Sequence, residues 1–226
     1  MANSYGPKGI VTDGLVFCID AGNTHSYISG SSTATDLIYN AECTLENDVV
    51  PEPNSWDFDF DGTDTWITIP NSDVINLKTK YTLMAWINPT SVAGWDAIIY
   101  KNGNESYHFG IDPDGYIQGG VYDSNWKTFR SNTNILTTGT WQHAALTWDN
   151  ASTTIIAYKN SIVAGSNTSF GPFTLSGNSD DAYIGKQHGT TNYYNGKLNL
   201  PLIYNRALTA SEILQNYNSQ KSRFGL

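Results

Sequence analysis

The sequence predicts an all-β protein, an antiparallel two-sheet sandwich or jelly roll closed by one short C-terminal helix. Three observations carry this expectation. Short runs rich in Ile, Val, Thr, Tyr and Trp recur along the whole chain of 226 residues. Turn-forming residues punctuate them, with 20 Gly and 8 Pro available for the purpose. Only one stretch, near the C-terminus, has a helical apolar period. Many short strands with regular turns and almost no helix suit a sandwich.

In order, strands are expected at 14–20, 56–60, 65–69, 81–88, 97–100, 107–111, 116–121, 143–148, 154–159, 182–185 and 197–204. Asp61-Gly62 and Asn102-Gly103 suit tight turns, and Asp112-Pro113-Asp114-Gly115 places Pro and Gly where a β-turn wants them. Asn160-Ser161 reads as a hairpin tip between TTIIAYK and IVAGS. Residues 29–54 are the least patterned interior stretch and read as long loops. Residues 1–12 read as a polar arm and 219–226 as a short tail, leaving a single domain at 13–218. The helix starts at a T-x-x-E capping box, Thr209 and Glu212, whose side chains each satisfy an orphan amide of the first turn. Ala210, Ile213, Leu214 and Tyr217 then follow at i, i+3, i+4 and i+7, which predicts one apolar face.

Charge and hydropathy narrow the function classes. The net charge is −9, from 12 basic and 21 acidic residues, and no basic run is present. Binding through nucleic-acid phosphates is therefore disfavoured, as is docking on anionic lipid. The apolar runs fall short of the ~20 residues of a membrane helix. The first 20 residues lack a cationic segment followed by an apolar one, so no secretory signal is expected there. Cys18 and Cys43 allow at most one bridge, and Cys18, in an apolar strand-like run, reads as a buried thiol.

Several motifs occur in an order that resembles LamG-like, concanavalin A-type jelly-roll domains. They are GLVF…DAGN from Gly14 followed by Ser26-Tyr27, FDGTD…ITIP from Phe60, YT…AWINP from Tyr81, WQHAALTWD from Trp141, and IG…NGKL…IYNRALTASEI from Ile184. Together they span about residues 14 to 217. The front GPKGIVTDGLVFCIDAGN and the end IYNRALTASEILQNYNSQKSRFGL resemble, more narrowly, LamG-like virion proteins of tailed phages, especially those of marine bacteria. Two departures are visible. Asn160-Ser161 stands where the family usually has Asn-Gly, and Leu198-Asn199-Leu200-Pro201 stands where it has a regular strand. Proline lacks an N–H, so the last strand is expected to be irregular.

The resemblance implies a non-catalytic recognition module that binds host-surface carbohydrate, on a virion head or tail and beside other virion proteins. Two alternatives stand beside it: a purely structural docking protein, and a glycan hydrolase of the laminarinase type. The third rests on Asp57, Asp59 and Asp61, which alternate with Phe58 and Phe60 along a strand. Same-face neighbours on a strand lie about 6.6–7 Å apart, wider than the ~5–5.5 Å of a retaining carboxylate pair. No catalytic residue is assigned. Calcium is admitted by the family at strand ends such as Asp20, Asn23, Asp149 and Asn150. Asp112 and Asp114 look like the front of a calcium loop whose remainder is missing. The histidines His25, His108, His143 and His188 have no metal-ligand spacing.

Aromatic side chains carry the sugar-binding expectation, because sugar C–H faces stack on them while amides and carboxylates take the hydroxyls. Trp86, Trp141 and Trp148 lie in strand positions and read as core. Trp95 and Trp126 sit in polar, turn-like contexts and lead the candidate ligand-binding set. Tyr122, Asp123, His188, Tyr193 and Tyr194 complete it, the last three in a polar-aromatic loop of the kind that carries binding on a rigid sandwich.

Overall fold

The ten residues KYTLMAWINP are buried almost without interruption. A strand is buried on both faces only where its sheet is covered on both sides, and here both covers exist. The computed structural model describes residues 9–49, 56–101, 103, 106–133, 136–187 and 192–226. Among them, the strands are β1 (Leu15–Cys18), β2 (Thr33–Thr35), β3 (Glu42–Glu46), β4 (Phe58–Asp61), β5 (Trp66–Ile69), β6 (Lys80–Pro89), β7 (Asp96–Lys101), β8 (Tyr107–Ile111), β9 (Ile117–Asp123), β10 (Asn125–Arg130), β11 (Gln142–Asp149), β12 (Thr154–Lys159), β13 (Ile162–Asn167), β14 (Ala182–Ile184) and β15 (Asn195–Tyr204). One helix, α1 (Ala210–Gln220), runs into a 3-10 turn at Lys221–Phe224.

The molecule is the expected antiparallel sandwich. A seven-stranded sheet has the order β1-β15-β6-β11-β12-β13, with β4 also paired to β15. An eight-stranded sheet has the order β10-β9-β8-β7-β14-β5-β3-β2. Strand alternation on β6 serves two cores. Tyr81, Leu83, Ala85 and Ile87 enter the space between the sheets with Ile67, Ile99, Phe109 and Val121. Met84 and Trp86 point the other way, to a layer built from Ile10, Leu208 and Ile213. Each such aliphatic burial contributes about 1.5–3 kcal/mol, far more than the ~0–1 kcal/mol of an exposed ion pair.

The helix begins where the sequence places it. Thr209 Oγ1 accepts from the Glu212 amide at 3.3 Å, and the Glu212 carboxylate accepts from the Thr209 amide at 2.8 Å. Its buried face differs from the expected one. Ile213, Asn216 and Gln220 are buried, whereas Ala210 and Leu214 are exposed. Polar anchors rotate the helix: Trp86 Nε1 donates to Gln220 Oε1 at 2.7 Å, and Asn216 accepts from the Val11 amide at 2.7 Å and donates to Tyr204 Oη at 3.0 Å. Residues 219–224, expected in a tail, are packed as well. Phe224 stacks on Trp86 at 4.3 Å, and Arg223 forks onto Asp20 at 2.6 and 2.9 Å. Of the expected arm, residues 1–8 lie outside the described residues, while Ile10 and Val11 are buried.

Two further expectations are corrected, and the hairpin tip at Asn160-Ser161 is found as expected. Residues 29–54 hold β2 and β3, whose mixed polar sequences conceal one buried residue in two. Trp126 lies not in a loop but on β10, an edge strand where only Phe129 is buried, too few apolar residues to register as a run. Asn160 and Ser161 have φ of 48° and 67° between the paired Lys159 and Ile162, a two-residue turn with both central residues left-handed. β15 is irregular as expected: its register with β6 shifts between Asn199 and Leu202, and Leu200 has φ of 49°. Cys18 and Cys43 are buried free thiols in different cores.

The helical layer covers the outer face of the seven-stranded sheet. The outer face of the eight-stranded sheet is exposed at its margins, at Glu42, Thr44, Trp126 and Thr128, whereas β7, β8 and the first five residues of β9 are buried throughout.

Candidate functional site

Alternation selects what the outer face of this sheet carries, with His108, Gln118 and Tyr100 themselves buried there. On β8, Tyr107, Phe109 and Ile111 enter the core, so His108 faces outward. On β9, Ile117 and Val121 point in and Gln118 and Tyr122 out; on β14, Tyr183 lies between buried Ala182 and Ile184. On β5, Ile67 and Ile69 point in, leaving Trp66 and Thr68 outside. The registers then line these residues up. Trp126 is opposite Tyr122, His108 opposite Tyr100, Tyr100 opposite Tyr183, and Tyr183 opposite Thr68.

At one end of this row three rings meet around Trp126, which is 37% exposed. Its centroid lies 4.7 Å from that of His108 and 5.0 Å from that of Tyr122, both edge to face, and 5.8 Å from that of Tyr100. Edge-to-face pairs of this kind contribute about 0.5–1.5 kcal/mol each, so the indole is braced before any ligand arrives. His108 is buried, which pulls its pKa down to about 4 against a favourable hydrogen bond with Gln118. The ring is therefore neutral at pH 7, and its Nδ1 has no hydrogen-bond partner.

At the other end Lys186 is surrounded by aromatics. Its ammonium sits 3.6 Å from the Trp66 ring centroid, 5.4 Å from Tyr183 and 5.8 Å from Tyr193. A bridge between Lys186 and Tyr193, the Gln187 amide bonded to the Asn192 carbonyl at 3.0 Å, and the Asn192 amide on Gln187 Oε1 at 2.6 Å fix the base of this loop. Trp66 Nε1 donates to Thr68 Oγ1 at 3.0 Å, and Thr68 donates to Glu46 at 3.1 Å. Partial burial lowers the Lys186 pKa, with nearby Glu46 acting in the opposite direction.

The structure gathers only part of the candidate set. Trp126, Tyr122 and Tyr193 lie on the outer face, and Asp123 is half-buried at the tip of the β9–β10 hairpin. Trp95 is 50% exposed but precedes β7, at the opposite end of that strand from Tyr100 and the Trp126 cluster. Tyr194 is a correction: it is fully buried, packs on Phe60 at 5.8 Å and donates to the Lys197 carbonyl at 3.1 Å, so no sugar can stack on it. His188 lies outside the described residues. Sequence reasoning missed Trp66, Tyr100, His108, Tyr183 and Lys186. Period-2 alternation was available on β5, β8 and β14, but adjacency between strands distant in sequence was not.

The acidic residues are engaged in structure. Phe58 and Phe60 are buried and Asp59 and Asp61 face away from them, as the alternation predicts. Asp61 Oδ1 accepts from the Thr63 and Asp64 amides at 2.8 and 3.1 Å and from Thr65 Oγ1 at 2.9 Å, which lowers its pKa against a desolvation effect. Asp57 pairs with Lys197 at 3.4 Å. An open acidic depression of about 710 Å³ lies beside them, lined by Asn47, Asp48, Asp59, Asp61, Asp64 and Asn195 among others. No group of three His, Cys, Asp or Glu able to hold a metal occurs among the described residues. Asp112 and Asp114 both meet the Arg130 guanidinium, which takes the place of a cation. Asp20 is held by Arg223, Asp149 by Lys80 at 3.2 Å, and Asn150 by the backbone of Phe173. No helix among the described residues is long and apolar enough to cross a membrane.

Comparison with known proteins places the fold. The chain is similar to the binding domain of Paraclostridial Mosquitocidal Protein 1, with a TM-score of 0.70 and 17% identity over 91% of this chain and 52% of that one. It is similar to the binding domain of botulinum neurotoxin DC, solved in complex with SialylT, with a TM-score of 0.71 and 16% identity over 92% of this chain and 52% of that one. This chain thus spans about half the length of those toxin domains. It also resembles domain 4 of AbnA, an extracellular arabinanase from Geobacillus stearothermophilus solved with arabinotriose: TM-score 0.66 and 17% identity over 91% of this chain and 100% of that one. No curated protein matches the sequence. The model of one family does match, over residues 61–214. With the two-sheet architecture and that match together, the chain belongs to the concanavalin A-like lectin/glucanases superfamily.

Proposed function

We propose that this protein is a non-catalytic carbohydrate-recognition module whose ligand lies on the outer face of the eight-stranded sheet. The observation that carries this reading is the half-exposed Trp126 indole, held edge-on by His108 and Tyr122. A rigid aromatic plate beside the half-buried Tyr122 phenol offers a sugar both stacking and a hydrogen bond, with little ordering cost on binding. Solved neighbours of the same fold with arabinotriose or SialylT bound support the reading. The engagement of Asp57 and Asp61 in structure supports the absence of hydrolysis.

A glycan array probed with the wild type, Trp126→Ala and Trp95→Ala tests it. Binding lost in Trp126→Ala and kept in Trp95→Ala is the expected result. Binding by the wild type that survives Trp126→Ala would move the site elsewhere, and silence of a folded wild type would favour the purely structural docking role.

We further infer a phage-virion setting, on the head or tail, with other virion proteins as partners. Its support is the resemblance carried by residues 6–23 and 203–226. Multiple copies on a particle raise the effective affinity of individually weak sites. Proteomics of purified particles checks this: absence of the chain from them would sink the assignment.

A further inference from the structure

The opposite end of the same sheet face carries a feature that neutral sugar stacking does not use. Among the described residues no carboxylate forms an ion pair with Lys186, as is also true of Lys78, Lys101, Lys127 and Lys221, but Lys186 alone of these is ringed by three aromatic side chains. Its ammonium rests on Trp66 with Tyr183 and Tyr193 alongside. The carboxylate nearest in effect, that of Glu46, already accepts a hydrogen bond from Thr68. An ammonium on an aromatic face keeps its outward N–H donors for a ligand.

Position matters as much as charge. Trp126 is on β10 and Trp66 on β5, five steps apart in the order β10-β9-β8-β7-β14-β5. At about 4.8 Å per step the two ends are separated by roughly 24 Å. The opposite pairs His108–Tyr100, Tyr100–Tyr183 and Tyr183–Thr68 connect the two ends at right angles to the strands, with His108 and Tyr100 buried and Tyr183 and Thr68 half-buried. That length suits an extended oligosaccharide of several units, not one terminal sugar. The overall charge of −9 does not forbid an acidic ligand, because screening confines electrostatics to about 8 Å at physiological ionic strength.

We propose that the face binds an extended acidic oligosaccharide, with one sugar stacked at Trp126 and a carboxylate-bearing sugar, a uronate or sialate, on Lys186. This assignment rests on the carbohydrate reading above and adds to it the ligand's charge and its direction across the strands.

The test measures binding of uronate- and sialate-containing oligosaccharides, each beside its carboxyl-reduced neutral counterpart, at low and high salt. The proteins are the wild type, Lys186→Met, Lys186→Arg and Trp126→Ala, all checked for folding by circular dichroism. The wild type should prefer at least one acidic member over its reduced partner by roughly tenfold, the size of one charge-assisted hydrogen bond. Lys186→Met, which keeps the hydrocarbon packed on Trp66, should lose that preference while retaining weak binding to both. Lys186→Arg should restore it, and Trp126→Ala should weaken both partners alike. Equal affinity of the wild type for acidic and reduced partners, or an unchanged preference in Lys186→Met, overturns this assignment alone. No binding of the wild type to any member overturns it together with the carbohydrate reading.

Discussion

The indole of Trp126 meets the imidazole of His108 edge to face, with centroids 4.7 Å apart and planes at 83°. The most exposed ring of the candidate site thus rests on a histidine that burial keeps neutral. His143 is a second buried histidine, between Trp86 and Tyr217, with neither ring nitrogen bonded.

These histidines should make the protein acid-sensitive. Burial lowers His108 to about 4 and His143 to about 3, from an ordinary value of 6.5. The unfolded chain therefore binds more protons below pH 6.5, and stability falls as the pH drops towards 4 and then 3. Asp96 acts the other way: burial raises it to about 6, so its contribution is present at low pH and lost as the pH rises through 6. Each histidine contributes up to about one proton between pH 6 and 4, or ~1.4 kcal/mol per pH unit, opposed by Asp96 and by Asp36, which burial also raises. Chemical denaturation across this range measures the slope. His143→Phe should flatten it by one proton and leave stability at pH 7 equal or higher, since two orphaned nitrogens are removed.

The C-terminal residues should be required for stability. Deleting 221–226 strips Phe224 from Trp86 and leaves Asp20, 5% exposed, without Arg223. An unpaired buried charge costs about 3–5 kcal/mol. Thermal unfolding should shift down by ten degrees or so, given roughly 2–4 °C per kcal/mol for a domain of this size. An unchanged Tm would show these residues to be a dispensable tail.

The helix cap offers a graded test. Glu212 serves the capping box and also takes two hydrogen bonds from Arg206, at 2.6 and 3.0 Å, which hold its pKa at about 2. Thr209→Ala should cost about 1 kcal/mol. Glu212→Ala should cost more, because Arg206, the Thr209 amide and the Thr209 hydroxyl lose an acceptor together, and Glu212→Gln should fall between them. Denaturation midpoints rank the three, and equal effects would contradict the double role.

Asp61 should behave as a turn residue. Asp61→Ala removes the acceptor for three amides and the Thr65 hydroxyl, and should lower stability by about 1 kcal/mol. Asp61→Asn keeps an acceptor oxygen and should be milder. Reducing-end assays on a polysaccharide panel should stay at background for the wild type and both variants. Release by the wild type that vanishes in Asp59→Asn would restore the hydrolase alternative.

Much of the fold was legible because its causes are local. The strand runs from Tyr81, Tyr107 and His143, the Thr209–Glu212 cap and the irregularity at Pro201 each follow from a few neighbouring residues. β2, β3 and β10 were not legible, since an edge or near-edge strand needs only one or two buried side chains to hold it. The helix face was misread for a related reason. Hydropathy favours burying Leu214, but Trp86 and Val11 needed the hydrogen-bonding groups of Gln220 and Asn216.

The sequence by itself determined the two-sheet class, the helix start and the presence of Trp126, Tyr122 and Tyr193 on polar ground. Tertiary structure alone decided which of them meet. Tyr100, His108 and Trp126 come from three strands, and Lys186 reaches Trp66 across 120 residues of chain. Tyr193 and Tyr194 are adjacent in sequence, yet one faces solvent and the other the core. Alternation along a strand sets the faces as opposite, but only the packing of one sheet on the other, and of α1 on the seven-stranded sheet, decides which face stays open.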